Sequence, residues 1–545
     1  MFIKITRNEK GDQYYHLVES YRQEGKVKQR TLLPLGKVGD GKLEELASAI
    51  SKHLDFVTIY DLAKNIDISQ TYILGPLLVL EQLIRSFGIE AILTGVRRHS
   101  KRLHLQFEKI IFTLLCSRFI KPVSKLALYD HWLERMYPMM VNHDLALHHI
   151  YRSLDVLADH KEMIETNLYH YGKDLFSLQV DVVLYDLTTL RFESIVKEDN
   201  QLRQFGFSKE KRSDCTQIVL GLLTDTDGIP LCFEAHPGNT FEGHTLAGIV
   251  EKMKTKFLVR RFIFIADRGL FSAENLEHIR SSQGEFIVGM KMGSLPRKKQ
   301  EQLYDIKKFE WINDDLAIRE TTHQSDRLII TWSRSRADRD RKAREDIVDK
   351  IREKMAKGHG SSKDFVTNSN YKKYVHLSAS EKCEINEEAI KEMEAKDGFF
   401  AIITNVTSMT ATQLVTHYKQ LWKIEDAFGE IKGTLKTRPV FHWTDKRITG
   451  HLVLCFLAYY LEAQLTKKLR EQSLKLESKS KEDKTVKERQ LTVVQVMTEL
   501  STVMAVPVKV KAITYWIRTD IPPNASHLLK AIGMRIPPKL LRQTT

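Results

Sequence analysis

Residues 178–187 read LQVDVVLYDL, an almost unbroken apolar run that is typical of a buried β-strand. The next apolar stretch, QIVLGLLTDTDGIPLCFEAHPG at 217–238, is divided by the turn sequence TDTDG and predicts a hairpin. Helix and strand patterns then alternate. They are a helix in HTLAGIVEKMKTKF (244–257), a strand in RFIFIAD (261–267), a helix in SAENLEHIRSSQ (272–283) and a strand in EFIVGMK (285–291).

Three strands, a helix, a strand, a helix and a strand is the order of a ribonuclease-H-like fold that still lacks its last helix. Residues 292–396 interrupt this order with strand-like segments, FEWINDDLAIRETT and DRLIITWS, and a charged helix. The strand GFFAIITNV (398–406) and a helix from about Thr412 to Lys436 then complete it. We therefore predict an α/β protein whose ribonuclease-H-like catalytic core, a mixed sheet flanked by helices, carries a β-rich insertion and a helical N-terminal module.

The flanking regions have patterns of their own. Residues 1–38 alternate polar and apolar positions around Gly-containing turns, whereas apolar residues from Pro76 to about residue 170 recur at helical spacing. The predicted division is a small N-terminal β element and linker (1–60), a helical DNA-binding module (61–175), the first part of the core (176–291), the β-rich insertion (292–396), the second part of the core (397–465) and a basic helical C-terminal region (466–545).

The composition favours a polyanionic partner. With 545 residues and a formal net charge of +14, the chain is long enough for several domains, and nucleic acid is the first candidate partner, ahead of an anionic membrane surface. The longest apolar run, Leu452 to Leu461, has ten residues, too few to span a membrane, and predicts a buried helix. The five cysteines show no metal-ligand spacing and the N-terminus lacks a secretory signal, so we expect a reducing cytoplasm and no structural zinc.

Two aspartates end apolar strands. Asp186 ends VVLYD and Asp267 ends FIFIAD, and side chains at the strand ends of an open sheet project into the crevice where ligands bind. The alternative for either residue is that it only caps the following turn or helix. A third carboxylate, Glu425, is separated by seven residues from both Tyr418 and Lys432, which places the three on one helix face. This face is otherwise apolar, so a carboxylate there is costly unless a cation meets it.

A metal ion is the sharper candidate for that cation, because Lys432 is two helical turns from Glu425 and too distant for an ordinary helical pair. Three carboxylates without cysteine or histidine suit a hard cation such as Mg²⁺, with Mn²⁺ able to take its place. Two such ions about 4 Å apart can activate a water or a 3′-hydroxyl for in-line attack on a phosphodiester. Asp186, Asp267 and Glu425 are therefore predicted to be the catalytic, metal-binding residues of a phosphoryl-transfer enzyme.

At these residues the chain resembles the DDE transposases of bacterial insertion sequences, in particular the branch with Tyr, Arg, Glu and Lys at set spacing on the last catalytic helix. The first Asp lies in YDLTTLRFES, the second in IADRGLFSAENL and the Glu in YKQLWKIEDAFGEIKGTLKTRPVFHW. GFSKEKRSDCTQIVLGLL and HPGNTFEGHTL are similar to the family's second and third strands and the following turn. The resemblance covers about residues 178–465. One position departs from it, because Leu421 stands where the signature has Arg.

The resemblance implies metal-dependent cleavage and strand transfer of double-stranded DNA, from terminal inverted repeats into target DNA, by at least a homodimer in the bacterial cytoplasm at the nucleoid. It implies that Tyr418 and Lys432 contact DNA near the cut strand; the alternatives are a packed aromatic and a surface cation. In relatives an aromatic residue of the β insertion can hold a base that is flipped out of the duplex. Trp311 and Trp332 are the candidates here, although each could instead belong to the core of the insertion.

Two basic stretches, Arg97 to Arg102 and Lys209 to Arg212, are placed where they could contact the phosphates of DNA. The first, RRHSKR, places four cations close together, which suits phosphates better than base edges. A third stretch, SRSRADRDRKARED (333–346), alternates Arg with acidic residues and is typical of a solvated helix face. The predicted DNA-contacting cations are Arg97, Arg98, Lys101 and Arg102 in the first stretch and Lys209, Lys211 and Arg212 after the first core strand.

Two other functions stay open at this point. A nuclease of the same fold would hydrolyse DNA without transferring a 3′-hydroxyl end into a second duplex. A transposase-derived protein would bind DNA without cutting it, and intact acidic positions do not exclude this because a carboxylate triad can survive in an inactive chain.

Overall fold

The computed structural model describes most of the chain, which forms two compact units. The smaller unit comprises residues 1–71, 505–519 and 537–545, and the larger unit comprises residues 72–504 and 520–536. The described residues are 2–23, 26–39, 70–100, 106–172, 181–193, 201–206, 214–259, 261–270, 272–356, 365, 371–377, 383–438, 440–472, 475–479, 486–510 and 513–544.

An antiparallel sheet opens the chain, as the alternating pattern of residues 1–38 predicts. Its strands are β1 (Phe2–Arg7), β2 (Gln13–Gln23) and β3 (Lys26–Lys37), in the order β1-β2-β3. The β1–β2 turn is fixed by the side-chain oxygen of Asn8, which accepts hydrogen bonds from the backbone N–H groups of Lys10 and Asp12 at 3.1 and 2.8 Å.

Five helices follow the short strand β4 (Tyr72–Ile73), in the stretch where apolar residues recur at helical spacing. They are α1 (Gly75–Ser86), α2 (Ile89–His99), α3 (Phe107–Ile120), α4 (Leu147–Asp159) and α5 (Lys161–Tyr171). A short helical segment, from Lys125 to Arg135, lies between α3 and α4. Gly88 joins α1 to α2 with a φ of +69°, and a Cβ at this position would lie 2.3 Å from the Tyr171 ring. The turn therefore requires glycine both for its backbone conformation and for its space.

The core sheet has the predicted ribonuclease-H-like order. Its strands are β5 (Asp181–Arg191), β6 (Gln217–Asp225), β7 (Pro230–Pro237), β8 (Phe262–Ala266) and β9 (Glu285–Met290), arranged β7-β6-β5-β8-β9. β5, β8 and β9 are parallel to one another, and β6 pairs antiparallel with both β5 and β7. The crossover helices α6 (Leu246–Thr255) and α7 (Ala273–Ser281) contribute to the apolar core on one sheet face. The mixed α/β fold class is thus confirmed.

The interrupting segment places part of its β structure in the core sheet and forms a separate two-stranded sheet from β13 (Val375–Leu377) and β14 (Cys383–Ile385). Its strands β10 (Glu310–Trp311), β11 (Leu316–His323) and β12 (Asp326–Ser333) extend the core sheet beyond β9, through β15 (Phe399–Thr404). Leu328, Ile330 and Ala401 belong to the same hydrophobic core as the strands β5 to β9, so β12 and β15 extend that core. The longest element of the segment is a helix. The other elements are α8 (Arg297–Leu303), α9 (Arg334–Ala356) and α10 (Glu387–Glu394).

The helix predicted over 412–436 is broken in two. α11 (Ala411–Lys419) begins with a capping box formed by Thr410 and Gln413, and α12 (Trp422–Lys432) follows after a break at residues 420–421. At the break the N–H of Leu421 donates to the carbonyl of Tyr418 at 3.1 Å, a tighter pattern than that of an α-helix. The expected single helix face is therefore interrupted between Tyr418 and Glu425.

The apolar run around residues 452–461 lies in a core helix, α13 (Asp445–Glu471), as predicted. Among the described residues, α13 alone is long and apolar enough to cross a membrane, but 89% of its apolar window is buried inside the protein. At Gly450 the helix approaches α4 so closely that a Cβ would lie 2.0 Å from the carbonyl oxygen of Leu154. The burial of this helix is that of a core element and not of a membrane segment.

The C-terminal region corrects an expectation, because it is not mainly helical. The alternating sequences MAVPVKV and ITYWIR form strands, as their period of two requires. The elements are β16 (Lys475–Lys479), β17 (Val486–Gln490), α14 (Val493–Leu500), β18 (Met504–Val510), β19 (Ile513–Arg518), α15 (Pro523–Ala531) and β20 (Leu540–Thr544). β19 pairs antiparallel with both β18 and β20.

Candidate active site

The parallel strands align the two predicted aspartates. Tyr185 of β5 pairs with Ala266 of β8, so that the next residues along the strands, Asp186 and Asp267, stand side by side. Neighbouring strands are about 4.8 Å apart, and side chains at matching positions of parallel strands point to the same face. Tyr185 and Ala266 are buried in the core. The two aspartates therefore project to the opposite face. Asp267 directly follows β8, whereas Asp186 lies within β5, which continues to Arg191, so the expectation that Asp186 ends its strand was wrong.

A glycine on the third parallel strand leaves space beside Asp267. Ala266 pairs with Val288 of β9, so Gly289 is aligned with Asp267. The hydroxyl of Tyr418 occupies this space, because a Cβ on Gly289 would lie 2.5 Å from its oxygen. From there Tyr418 donates a hydrogen bond to Oδ1 of Asp267 at 3.2 Å. Burial, reinforced by the charge of Asp267, raises the pKa of Tyr418, which keeps the phenol protonated as a donor.

Glu425 reaches the same cavity from the first turn of α12. A cavity of about 810 Å³ is lined by all three predicted carboxylates, together with Tyr418. The buried face of α12 is formed by Ile424, Ala427, Phe428 and Ile431, whereas Glu425 is exposed and Trp422 is 51% exposed. The expectation of a costly carboxylate on an apolar face was wrong, since Glu425 is exposed and lines the cavity.

The donor chemistry of this cavity fits a hard divalent cation. Asp186, Asp267 and Glu425 offer carboxylate oxygens, the ligands that Mg²⁺ and Mn²⁺ prefer, without competing thiols or imidazoles along the cavity wall. Within the described ranges, no group of three or more His, Cys, Asp or Glu residues is close enough to ligate one ion. The carboxylates thus face one cavity but are not gathered to ligand distances. Asp267 and Glu425 are both exposed, but Asp267 accepts a hydrogen bond from Tyr418, so Glu425 has more room to move.

Four cations share the cavity with the carboxylates, and sequence reasoning missed them. Arg336 and Arg339 extend into it from the first turns of α9, alongside Arg268 and Lys419. Both α9 residues belong to SRSRADRDRKARED, so the expectation that this run is only a solvated face was wrong. The signal was present but weak: two arginines three positions apart follow directly on the apolar strand β12, which delivers the helix to the catalytic face.

Two residues of the expected DNA-contacting signature lie differently in the structure. Leu421 lines the cavity at the position where the family signature has Arg. Lys432 is half-buried in the last turn of α12 and is not among the residues that line the cavity. The structure therefore brings Tyr418, but not Lys432, next to the carboxylates.

The two candidate tryptophans lie on the other side of the sheet. Trp311 pairs with Ala317, which in turn pairs with Trp332, so the three side chains share one face. Ala317 belongs to the core on the face opposite Asp186, and the indole N–H of Trp332 donates to the carbonyl of Asp397 at 3.1 Å. Trp332 is thus a partly buried core residue, whereas Trp311 is 49% exposed at the edge strand. The exposed aromatic on the catalytic face is Trp422.

The predicted basic stretches are only partly described. Arg97 and Arg98 are exposed in the last turn of α2, and Nε of Arg97 lies 2.6 Å from Oε1 of Glu108 in α3. Part of the positive charge of this stretch is therefore already balanced within the protein. The remaining predicted cations, Lys101, Arg102, Lys209, Lys211 and Arg212, lie outside the described residues.

Fold and cavity together define a ribonuclease-H-like protein with a carboxylate-lined site on one face of its sheet. A family model described as "Transposase DDE domain" matches residues 179–461, just over half of the chain. A second, described as "IS1634 family transposase, N-terminal domain", matches residues 3–58. The chain therefore belongs to the DDE transposases of insertion sequences. Enzymes with this domain act on DNA and generally use divalent metal ions.

Two further comparisons complete this result. No curated protein matches the chain. Among solved structures, the chain is similar to the piggyBac transposase in a synaptic complex with hairpin DNA, at 10% sequence identity and a TM-score of 0.34, over 80% of this chain and 82% of that one. This TM-score is too low to support the fold assignment, which rests on the strand order of the core sheet.

Proposed function

We propose that this transposase cleaves and transfers DNA strands at the terminal inverted repeats of its insertion sequence, with two Mg²⁺ ions held by Asp186, Asp267 and Glu425, and that Mn²⁺ can substitute. The observation that carries the proposal is the parallel register that sets Asp186 beside Asp267 on the face that Glu425 also reaches. When bound, the ions would activate the attacking oxygen and stabilise the leaving one.

Other residues of the chain position the three carboxylates. The β5 strand fixes Asp186, since the residues on either side of it pair with β6 and are buried. The hydroxyl of Tyr418 orients the carboxylate of Asp267 and satisfies one of its oxygens. Glu425, which is exposed at the start of α12, can adjust its rotamer as ligands assemble.

DNA is the partner that the charge distribution suits. The chain carries a formal net charge of +14, and arginine and lysine side chains line the cavity around the carboxylates. We propose that the helices α1–α5 recognise the repeats through Arg98 and its neighbours, and that Lys432, at the end of α12, contacts the DNA backbone. We also propose that two protomers bring two DNA ends together before cutting. Such a reaction places the protein in the cytoplasm with the chromosome.

A strand-cleavage and strand-transfer assay with labelled end DNA and Mg²⁺ tests this proposal. Glu425→Gln keeps the size of the side chain but removes its charge, so specific DNA binding should persist while cleavage falls by about 10³-fold or more. Asp186→Asn and Asp267→Asn should give the same phenotype. Asp426→Asn is the matched control, because Asp426 is the next residue of α12, is exposed and does not line the cavity.

The outcomes separate the possible functions. Cleavage near the wild-type rate in folded Glu425→Gln protein would falsify the assignment of the triad. Cleavage without any joining of the 3′ end to a second duplex would identify a hydrolytic nuclease. Specific binding without cleavage by the wild-type protein, in Mg²⁺ and in Mn²⁺, would identify a DNA-binding protein that has lost its activity.

A further inference from the structure

We infer that Arg336 binds the phosphate of the DNA strand held at the carboxylates, and that Arg339 assists it. This inference rests on the proposed function and assigns the phosphate contact to α9, because α11 and α12 contain no arginine. The cavity residues contributed by these helices include Tyr418, Lys419, Leu421, Trp422 and Glu425, of which only Lys419 is cationic. A guanidinium that offers two parallel N–H donors to a phosphate must therefore come from another element.

Arg336 is held next to the catalytic carboxylates through two aromatic rings. Its guanidinium carbon lies 4.8 Å above the centre of the Phe400 ring, and this ring lies 5.0 Å from the ring of Tyr418. Tyr418 in turn donates to Asp267 at 3.2 Å. This contact with Phe400 restrains the guanidinium, so less rotamer entropy is lost when it binds a phosphate.

The guanidinium of Arg336 keeps its hydrogen-bonding capacity. Nε is buried and has no hydrogen-bond partner among the residues that the structure describes. The nearest carboxylate oxygen, Oδ2 of Asp340, lies 3.8 Å from Nε, beyond hydrogen-bonding distance. The side chain is 39% exposed, so a ligand can reach it. Arg344, further along α9, differs because it is 5% exposed and paired with Asp397 at 2.6 Å.

The start of α9 does not compete for the same phosphate. Asp315 accepts hydrogen bonds from the backbone N–H of Ser335 at 2.7 Å and from the hydroxyl of Ser333 at 2.9 Å. These donors lower the pKa of Asp315, the Ser335 N–H most strongly, and hold it as a carboxylate. A protein carboxylate thus already satisfies this helix terminus, and α9 offers an incoming phosphate the side chains of Arg336 and Arg339, three positions apart on one face.

Leu421 fits this arrangement. An arginine at position 421 would project into the cavity that already holds Arg268, Arg336 and Arg339, and like charges there repel one another unless a phosphate is bound. We therefore expect that an arginine at either position, 336 or 421, can bind the same phosphate. If so, an arginine introduced at 421 should replace the one removed at 336.

Four variants test the inference: Arg336→Ala, Arg336→Lys, the double variant Arg336→Ala/Leu421→Arg, and Arg334→Ala as the matched control. Arg334 is exposed, is two residues away on α9 and does not line the cavity. Arg336→Ala should slow Mg²⁺-dependent cleavage of end DNA about 10²-fold. It should also lower the slope of binding against salt by about 1. Arg336→Lys should retain the slope but not the full rate, and it keeps the test open if the alanine variant does not fold.

Rescue by the double variant, to within about tenfold of the wild-type rate, is the result expected only if 336 and 421 serve one phosphate. The inference is overturned if Arg336→Ala matches Arg334→Ala in rate and in salt slope, or if Leu421→Arg brings no recovery. The salt slope is measured with uncut end duplex and without divalent ions. It therefore reports on Arg336 even if the wild-type protein fails to cleave and the proposed function is wrong.

Discussion

The hydroxyl of Tyr418 donates to Oδ1 of Asp267 at 3.2 Å, and it does so from the space that Gly289 leaves open on the neighbouring strand. The contact joins the end of β8 to α11, two elements that are far apart in sequence. It fixes one carboxylate of the catalytic cavity before any metal or DNA arrives, which is the kind of support that positions metal ligands in other proteins.

Tyr418→Phe should slow cleavage without loss of DNA binding. The variant keeps the ring that packs on Phe400 and removes only the donor to Asp267. A hydrogen bond to a charged group contributes about 1.5–3 kcal/mol, so the cleavage rate should fall by about tenfold to a hundredfold. Single-turnover cleavage at saturating enzyme measures this step. A rate equal to that of the wild type would show that the hydroxyl does not orient Asp267.

Gly289→Ala should be destabilising, because the new Cβ would lie 2.5 Å from the Tyr418 oxygen and 3.1 Å from the backbone nitrogen of Arg268. The free energy of unfolding should fall by about 1–3 kcal/mol, as for other overpacked sites. In a Tyr418→Phe background part of this cost should disappear with the hydroxyl. Gly293→Ala is the control, since nothing lies within 4 Å of a Cβ there. Equal costs in both backgrounds would place the clash elsewhere.

The apolar patterns of the sequence were sufficient to predict the strands that carry or precede Asp186 and Asp267, although β5 continues beyond Asp186 to Arg191. They could not predict that Gly289 is aligned with these aspartates, since the register between strands depends on tertiary packing. The break at Leu421 and the cavity position of Arg336 were also out of reach. A charged helix has the same composition whether its first turn meets solvent or a cavity, and only the strand that delivers it decides between the two.

Trp422→Ala should slow the release of a cut end more than the first nick. Trp422 is the exposed aromatic on the catalytic face, and stacking of one extruded base on such a ring contributes about 1–3 kcal/mol. Trp311→Ala should leave both steps unchanged, because Trp311 points to the opposite face. Gel analysis of nicked and released products distinguishes the two variants. If Trp311→Ala instead lost end release selectively, the residue that stacks on the extruded base would be Trp311 of the insertion.

Arg98→Ala should lower the salt dependence of duplex binding by about one unit of slope, whatever the DNA sequence. Arg97→Ala should have a smaller effect, since Arg97 is already paired with Glu108 at 2.6 Å. Glu108→Gln should therefore strengthen binding by freeing Arg97. Replacing Arg97, Arg98, Lys101 and Arg102 together should weaken binding to all duplexes. If the salt dependence of binding is unchanged in that fourfold variant, residues 97–102 do not contact DNA.

Glu462→Gln should stabilise the protein at pH 8 but hardly at pH 4.5. Glu462 is 7% exposed in α13, and burial, aided by the charges of Glu430 and Asp426, raises its pKa from 4.5 to about 7. Its folded-state pKa is thus above the unfolded value, so the folded protein binds more protons between these two pH values. Stability must then fall as pH rises from about 4.5 to about 7, and stay lower above that.

Glutamine removes this titration and still accepts the hydrogen bond that Thr466 donates at 3.0 Å. The expected gain at pH 8 is on the order of 3 kcal/mol, from about 1.4 kcal/mol for each unit of pKa. Thermal unfolding of both proteins from pH 4.5 to 8 measures it, with Glu471→Gln as control because Glu471 is exposed at the end of the same helix. The difference in Tm between Glu462→Gln and wild type should widen with pH. A constant difference would mean that Glu462 is ionised in the folded protein throughout this range, stabilised by neighbours that outweigh its burial.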